Sequence, residues 1–438
     1  MAPPDYTCLP IQRIVARQYT FDTFLNIFAL PTTHRHSLFV GAVFTVAGDG
    51  SATYGMDGGL ATGTGLHEPS NVAFDADGNM YIADSLNSRI RLVMKGTGII
   101  TTVAGKGGKG YTGDGGQATS AELGQPRCVV VDAAGDLYIA DTDNHCIRKV
   151  TKSTGVITTV AGTGMGGFNN DGQLATTAQL TSPFGVAVDA NGDLYIADTY
   201  NHRIRMVKKS SGIISTMAGT GVVGFDGTPG PATSHPLSNP LAVILDAEGN
   251  IVFSDSNNNC VRMVSKNTNI LSIIAGVSLP DYGGDNGDAK DAFLSFPAGL
   301  ALDGGGNIYI ADSANNVIRL WTKSNGFITT VAGNGMAGYD MSSSGDPATA
   351  MFSSPLGVAL DKSGYLYVSD TNNNRIRAAA ITTQSQPVFP LAASSAPSAL
   401  PITLSPSPSP VAIVTSKPSI APTDPVPIAT GKHLLSAY

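Results

Sequence analysis

Cysteine is scarce in this chain. Among 438 residues there are four, Cys8, Cys128, Cys146 and Cys260. Cys146 and Cys260 occupy one position of a repeat described below, two units apart, so they are expected to lie far from each other. Cys128 and Cys146 fall on strands with a third between them, roughly 10 Å apart at ~4.8 Å per strand, too far to bridge. No disulfide is expected, and cysteine usage names no compartment. Glutamate is scarcer still. Glu68, Glu122 and Glu248 are the only three, too few for paired-carboxylate catalysis by glutamate. The seven histidines, His34, His36, His67, His145, His202, His235 and His433, show no metal-ligand spacing. Charged residues make up only 13% of the chain, with a net charge of −7. The region from about Ala42 to Ala380 holds 21 Lys+Arg against 30 Asp+Glu, a net −9. The broad basic field that nucleic-acid backbones require is therefore lacking, and RNA binding ranks third among the functions considered. No Asn-X-Ser/Thr sequon occurs. No charged start with an apolar core marks a signal peptide near Met1. The one long apolar stretch, Leu38–Val46, is too short to span a bilayer.

What the chain has in abundance is glycine, 51 in all, and a strict repeat. The tetrad Tyr-Ile-Ala-Asp ends at Asp84, Asp141, Asp198 and Asp312, with relaxed forms at Asp255 and Asp370. The steps from one of these aspartates to the next are 57, 57, 57, 57 and 58. An apolar run closing in Ala-Gly ends at Gly48, Gly105, Gly162, Gly219, Gly276 and Gly333, always 57 apart. Within each unit a Pro opens a short apolar strand, and a turn carrying Gly follows, as at Gly192, suiting positive φ. The strand ending in Asp comes next, then a tight turn holding Asn, a third strand holding Arg, and a fourth such as Val156–Val160. Four short strands with tight turns make an antiparallel meander. Six around an axis predict an all-β, six-bladed β-propeller.

The sixth unit runs from Arg377 into Thr382 with no room for a fourth strand. The missing strand stands at the other end, as Ala42-Val43-Phe44-Thr45-Val46, and is expected to close the ring and remove an exposed sheet edge. The domains are thus a poorly typed segment 1–41, a propeller 42–381 and a tail 382–438. That tail holds 11 Pro, 10 Ser and 6 Thr and is expected to be a disordered linker or an O-glycosylated stalk of a secreted or wall-associated protein.

The residues that look most like a site are the repeated ones. Asp84, Asp141, Asp198, Asp255, Asp312 and Asp370, with Arg91, Arg148, Arg205, Arg262, Arg319 and Arg377 seven residues on, invite an anion- or metal-binding reading. A reaction centre needs its groups to converge, whereas these recur once per blade. They are expected to lock hairpins, Asp capping the turn and pairing with Arg. The Gly-rich segments around Asp114 and Asp171 lack the pattern of a phosphate or calcium loop. The only cofactor left open is a surface Ca²⁺ held by such aspartates. A channel enzyme would need converging polar groups, but the first strands are apolar apart from Ser70, Asn71, Arg127 and Cys128. The long connections share a face with the Asp-to-Asn turns, and long loops on a rigid scaffold are where binding concentrates. Tyr200, His202, Arg203, Phe168 and Phe225, with Asp143 and His145, are the expected partner contacts, aromatic and Arg side chains being common anchors. His145 and His202 are expected to face solvent.

The stretches Pro183–Arg205 and Pro355–Arg377, with Gly-Val-Ala-Val/Leu-Asp, Leu-Tyr-Ile/Val-Ala/Ser-Asp and Asn-X-Arg-Ile-Arg, resemble the NHL-repeat family in its long, teneurin-like form. The resemblance covers all six units. It implies a six-bladed propeller with protein-binding roles. Cys146, Cys260 and Val317 replace the family's first Arg, so looser hairpins are expected in units two, four and five. The reading is a non-catalytic, monomeric scaffold for a protein or glycan partner. A hydrolase or lyase at the channel mouth is the alternative.

Overall fold

The computed structural model describes residues 42–340 and 346–381. Cys8, the segment 1–41 and the Pro/Ser/Thr tail lie outside the described residues.

Six antiparallel sheets follow the repeat. Blade 1 comprises Pro69–Phe74, Met80–Asp84, Arg89–Val93 and Ile100–Ala104; blade 2, Pro126–Val131, Leu137–Asp141, Cys146–Val150 and Ile157–Ala161. Blade 3 comprises Gly185–Val188, Leu194–Asp198, Arg203–Val207 and Ile214–Ala218; blade 4, Pro240–Leu245, Ile251–Asp255, Cys260–Val264 and Ile270–Ala275. Blade 5 comprises Pro297–Leu302, Ile308–Asp312, Val317–Trp321 and Phe327–Ala332. Blade 6 takes Pro355–Leu360, Leu366–Asp370 and Arg375–Ala379 from the end of the propeller and Val43–Ala47 from its start. Val43 pairs with Ala379 and Thr45 with Arg377, so the N-terminal strand closes the ring as expected.

Two blades depart from four strands. Gly230–Pro231 pairs with the outer strand of blade 4 and Gly287–Asp288 with that of blade 5. In blades 1 to 3 the same incoming segment makes a single bridge, as Leu60 does with Ile99. The fifth strand is that contact lengthened by one residue.

The core lies between blades rather than within them. Each of six apolar clusters draws on two neighbouring blades, and the one joining Val46, Met80, Ile82 and Tyr367 seals blade 6 to blade 1. A sheet of short strands has two faces to bury, and a ring of sheets buries both. The Ala-Gly mark has a steric cause. Gly162 adopts φ +94, and a Cβ there would run into the His145 carbonyl; every equivalent glycine meets the same obstacle.

Candidate interaction face and central channel

The repeated Asp is the hub of each hairpin, and all six are fully buried. Asp198 Oδ1 accepts the Thr181 N–H at 2.7 Å. Its Oδ2 accepts Asn201 Nδ2 at 2.9 Å and lies 3.1 Å from Arg205 Nη1. Asp84, Asp141, Asp255, Asp312 and Asp370 repeat this with Arg91, Arg148, Arg262, Arg319 and Arg377 at 3.3 to 3.5 Å. Burial pushes Asp141, Asp198, Asp255, Asp312 and Asp370 up to about 6, against the pull of these donors. The six arginines are the largest fully buried side chains among the described residues. A buried guanidinium demands more than one counter-group, and the long loops supply it. Arg91, Arg148, Arg205 and Arg319 reach Asp57, Asp114, Asp171 and Asp285 at 2.7 to 3.0 Å. Asp114 and Asp171, the aspartates considered for calcium, also accept the backbone N–H of Thr159 and Thr216.

An aromatic ring from the same loop covers each Arg: Tyr54, Tyr111, Phe168, Phe225, Tyr282 and Tyr339, their centroids 4.8 to 5.7 Å from the guanidinium carbon. These rings stand 57 residues apart throughout, as the Ala-Gly marks do. That periodic mark stands in the sequence, where each aromatic alone reads as an ordinary loop residue.

Two further sets of bonds join blade to blade, the first complete around the ring and the second present at five of the six junctions. The residue after every hub Asp is Ser or Thr, and its hydroxyl donates to the carbonyl of the next blade's opening Pro. The donors are Ser85, Thr142, Thr199, Ser256, Ser313 and Thr371, at 2.5 to 2.9 Å. Thr371 makes this bond to Pro69 across the closure. The left-handed residue that ends the turn makes the second set in five blades; in blade 1 the position is Ser88, whose hydroxyl makes no such bond. Asn259, Asn316 and Asn374 accept a backbone N–H from the following blade through Oδ1, at 2.9 to 3.0 Å. His145 and His202 do the same through Nδ1, from Ser182 at 3.0 Å and Asn239 at 3.2 Å. Contrary to the solvent-facing expectation, both imidazoles are half-buried acceptors. Burial lowers the pKa of each.

The expected partner contacts therefore divide. Phe168 lies half-buried over Arg203 at 3.8 Å, and Arg203 donates to the Asn201 and Thr220 carbonyls. Phe225 is the cover of Arg262. Tyr200 is 44% exposed at a turn tip. Asp143 is exposed and 3.9 Å from Lys109. The predicted looseness of hairpins two, four and five is not seen. Asp141 pairs with Cys146, Asp255 with Cys260 and Asp312 with Val317 in the register that joins Asp84 to Arg89. A buried apolar side chain serves at that position as well as Arg does. Cys128, Cys146 and Cys260 are free and buried, and burial pushes the Cys128 thiol up to about 11.

One feature of the face lies outside this frame. Three residues past each Ala-Gly stand Ser51, Gly108, Met165, Val222, Leu279 and Met336. The last four are 63%, 68%, 62% and 61% exposed. They form an apolar arc on the loops entering blades 3 to 6. Met56, exposed on the loop into blade 1, sits at another repeat position.

The first strands line a central cavity of 220 Å³. Its polar residues are those singled out in the sequence; Arg127 pairs with the Gln125 and Glu68 side chains, and the other three bind neighbouring backbone. Ser70 donates to the Arg127 carbonyl at 2.7 Å, Asn71 Oδ1 accepts the Val129 N–H at 3.0 Å, and Cys128 approaches the Val186 carbonyl at 3.8 Å. Among the described residues no three His, Cys, Asp or Glu side chains gather into a metal-binding group, and no helix is long and apolar enough to cross a membrane.

The family model described as NHL repeat matches residues 123–150, 180–205, 294–319 and 352–378. Protein SUPPRESSOR OF QUENCHING 1, chloroplastic, from Arabidopsis thaliana is 29% identical over 323 residues, which are 71% of this chain and 30% of that protein. NHL repeat-containing protein 2 from Bos taurus is 29% identical over 353 residues, 74% of this chain and 48% of that protein. The chain thus spans half or less of these relatives' length. A solved structure of a protein of unknown function from Bacteroides thetaiotaomicron shares the fold at TM-score 0.57 and 21% identity, over 77% of this chain and 75% of that one. Each matched stretch contains one Asp-to-Arg hairpin, and blades 1 and 4 carry the same hub, hydroxyl and Arg at the same spacing. Four of the six units thus match the NHL repeat, and the described chain folds as a six-bladed β-propeller.

Proposed function

We propose that this propeller is a non-catalytic scaffold that binds a protein partner on its long-loop face. The observation that carries the reading is the arc of Met165, Val222, Leu279 and Met336, each at least 61% exposed. The frame makes no use of them. The equivalent positions on the other two loops are Ser51 and Gly108, so blade geometry does not require an apolar residue. Exposed apolar residues clustered on one sector of a polar-rimmed face mark interaction sites. Tyr200, on the turn of blade 3, adds an aromatic anchor. Of the remaining expected contacts, Asp143 contributes rim polarity, and Phe168, Phe225, His145, His202 and Arg203 hold the surface in shape.

The test replaces the four arc residues together by Ser and compares capture from a native extract with that of the parent protein. Surface substitutions of this kind leave stability within about 0.5 kcal/mol each, so the fold serves as its own control. Loss of the specifically retained protein with an unchanged unfolding midpoint supports the reading. Identical retention by both proteins overturns it.

A further inference from the structure

From the groove between blades 3 and 4, on the face opposite the long loops, we infer a binding site for an aryl carboxylic acid, a carboxylate joined to an aromatic ring by a short chain. The groove is a cavity of 470 Å³. Small-molecule sites span about 300–1,000 Å³. Its floor is apolar, built from Val188, Met217, Leu245, Ile251 and Val264. Its rim carries Asp189 and Asn191 from the first turn of blade 3, and Asp246 and Lys266 from the two turns of blade 4.

The repeat provides a second copy of this groove, between blades 4 and 5, where the chain's own side chains meet. Glu248, the counterpart of Asn191, reaches across to blade 5 and accepts Lys323 Nζ through both carboxylate oxygens, at 2.8 and 2.9 Å. Trp321, the counterpart of Val264, packs against the apolar cluster that joins the two blades. Lys323 is the counterpart of Lys266, and the two share one pose. Each lies over the left-handed glycine of its own blade's first turn, Gly306 or Gly249, where a Cβ would meet the lysine side chain.

In the blade 3–4 groove both occupants are replaced by smaller residues. Asn191 turns back on its own blade, its Nδ2 3.4 Å from Asp189 Oδ2. Lys266 is exposed, and among the described residues no hydrogen bond or ion pair engages its ammonium. The other lysine of the groove, Lys208, is paired with Asp193 at 2.6 Å. Val264 leaves the floor without the indole that Trp321 gives the next groove. Tyr195, whose counterpart is Val252, adds an aromatic wall, a favourable neighbour for a second ring. A ligand that brings a carboxylate to Lys266 and a ring to the floor reproduces both contacts of the neighbouring groove. Asp189 and Asp246 do not bar such an anion. Their counterparts one blade on, Asp246 and Asp303, flank the blade 4–5 groove, and the Glu248 carboxylate sits on Lys323 there. Both rim aspartates also cap their own turns, Asp189 accepting the Asp193 N–H at 2.8 Å and Asp246 the Asn250 N–H at 2.7 Å.

The experiment is titration calorimetry of the full chain at low ionic strength with three probes. Sodium 3-phenylpropanoate has both parts, 3-phenylpropanamide keeps the ring without the charge, and sodium acetate keeps the charge without the ring. The aryl acid should bind at least about tenfold more tightly than the amide, a ratio that one charge-assisted hydrogen bond supplies. It should exceed acetate by at least about tenfold through burial of the ring. Two substitutions of exposed residues test the assignment. K266Q should bring the aryl acid down to the amide. N191E, which supplies from blade 3 the carboxylate that Glu248 supplies from blade 4, should weaken the aryl acid at least about tenfold with an unfolding midpoint no lower than the parent's. The inference is overturned if 3-phenylpropanoate does not bind the folded parent saturably at millimolar concentration. It is equally overturned if the amide or acetate matches it, or if K266Q or N191E binds it as the parent does.

Discussion

Blades 1 and 2 and blades 3 to 6 are built on one frame and present different chemistry. The frame is the same in both sectors. A buried Asp holds a buried Arg, a hydroxyl ties each blade to the next Pro carbonyl, and an aromatic ring covers the guanidinium. The positions that frame leaves free differ by sector. Blades 1 and 2 have Ser51 and Gly108 on their incoming loops and Ser70 and Arg127 at the channel. Blades 3 to 6 have Met165, Val222, Leu279 and Met336 on the loops and Phe184, Leu241, Ala298 and Leu356 at the channel. The divide falls between the same blades at both radii. A near-symmetric fold has thus acquired a polar sector and an apolar one without any change in its hydrogen-bonded skeleton, as expected when repeat stability is a sum of local and nearest-neighbour terms.

The largest effect should come from breaking the frame common to both sectors. Deleting residues 42–47 removes the outer strand of blade 6 and the Val46 and Ala47 contacts of the blade 6–1 core. It also bares the edge of Arg375–Ala379, a template for intermolecular pairing. The expected result is loss of the cooperative unfolding transition or a shift to oligomers, read by thermal denaturation and size-exclusion chromatography. A monomer with the parent's melting temperature would show that closure is dispensable.

That closure is legible in the sequence because it needs only counting: a sixth unit one strand short and a spare strand at the start. The hub residues are legible for the same reason, six Asp and six Arg in register. The second carboxylate and the ring over each Arg are not. Asp57, Asp114 and Asp171 stand 34 positions before Arg91, Arg148 and Arg205, and Tyr54, Tyr111 and Phe168 earlier still, in loops whose glycines suggest ion binding instead. Local pattern reading finds partners within a hairpin. A buried cation collects partners wherever the fold brings them, and only the need to neutralise it points to them. The arc is hidden differently. Met, Val and Leu at a shared position read as unremarkable variation until their exposure is known. The expected solvent-facing role of His145 and His202 fails for a reason the repeat itself holds: Asn259, Asn316 and Asn374 share their position, and Asn and neutral His have an acceptor in common.

A smaller effect tests whether the frame is energetically even across the divide. Asp198→Ala in blade 3 and Asp84→Ala in blade 1 each strand a fully buried Arg beside one remaining loop carboxylate. Removing one member of a buried pair costs about 3–5 kcal/mol. Both variants should show that loss in urea unfolding, within about 1 kcal/mol of each other. A large loss in one blade and none in the other would mean that the sectors differ in skeleton as well as in surface. Full stability of D198A would remove the hub from the frame altogether.

The smallest expected effect concerns the clips between blades, where His stands at two positions and Asn at three. His145 and His202 must be neutral to accept the Ser182 and Asn239 N–H groups through Nδ1, and burial lowers both pKa values from the ordinary histidine value. Their contribution is therefore complete above the unfolded-state value of about 6.5. It declines as pH falls through that value towards the lowered folded one, because the unfolded chain binds protons that the folded chain refuses. Asn at these positions accepts the same bond without titrating, as Asn259, Asn316 and Asn374 already do. The double variant H145N/H202N should match the parent in urea midpoint at pH 7.5 and exceed it at pH 5.5. Equal midpoints for the two proteins at pH 5.5 would mean that the imidazoles are not acceptors there, and that the clips between blades 2 and 3 and between blades 3 and 4 differ in kind from those on the far side of the ring.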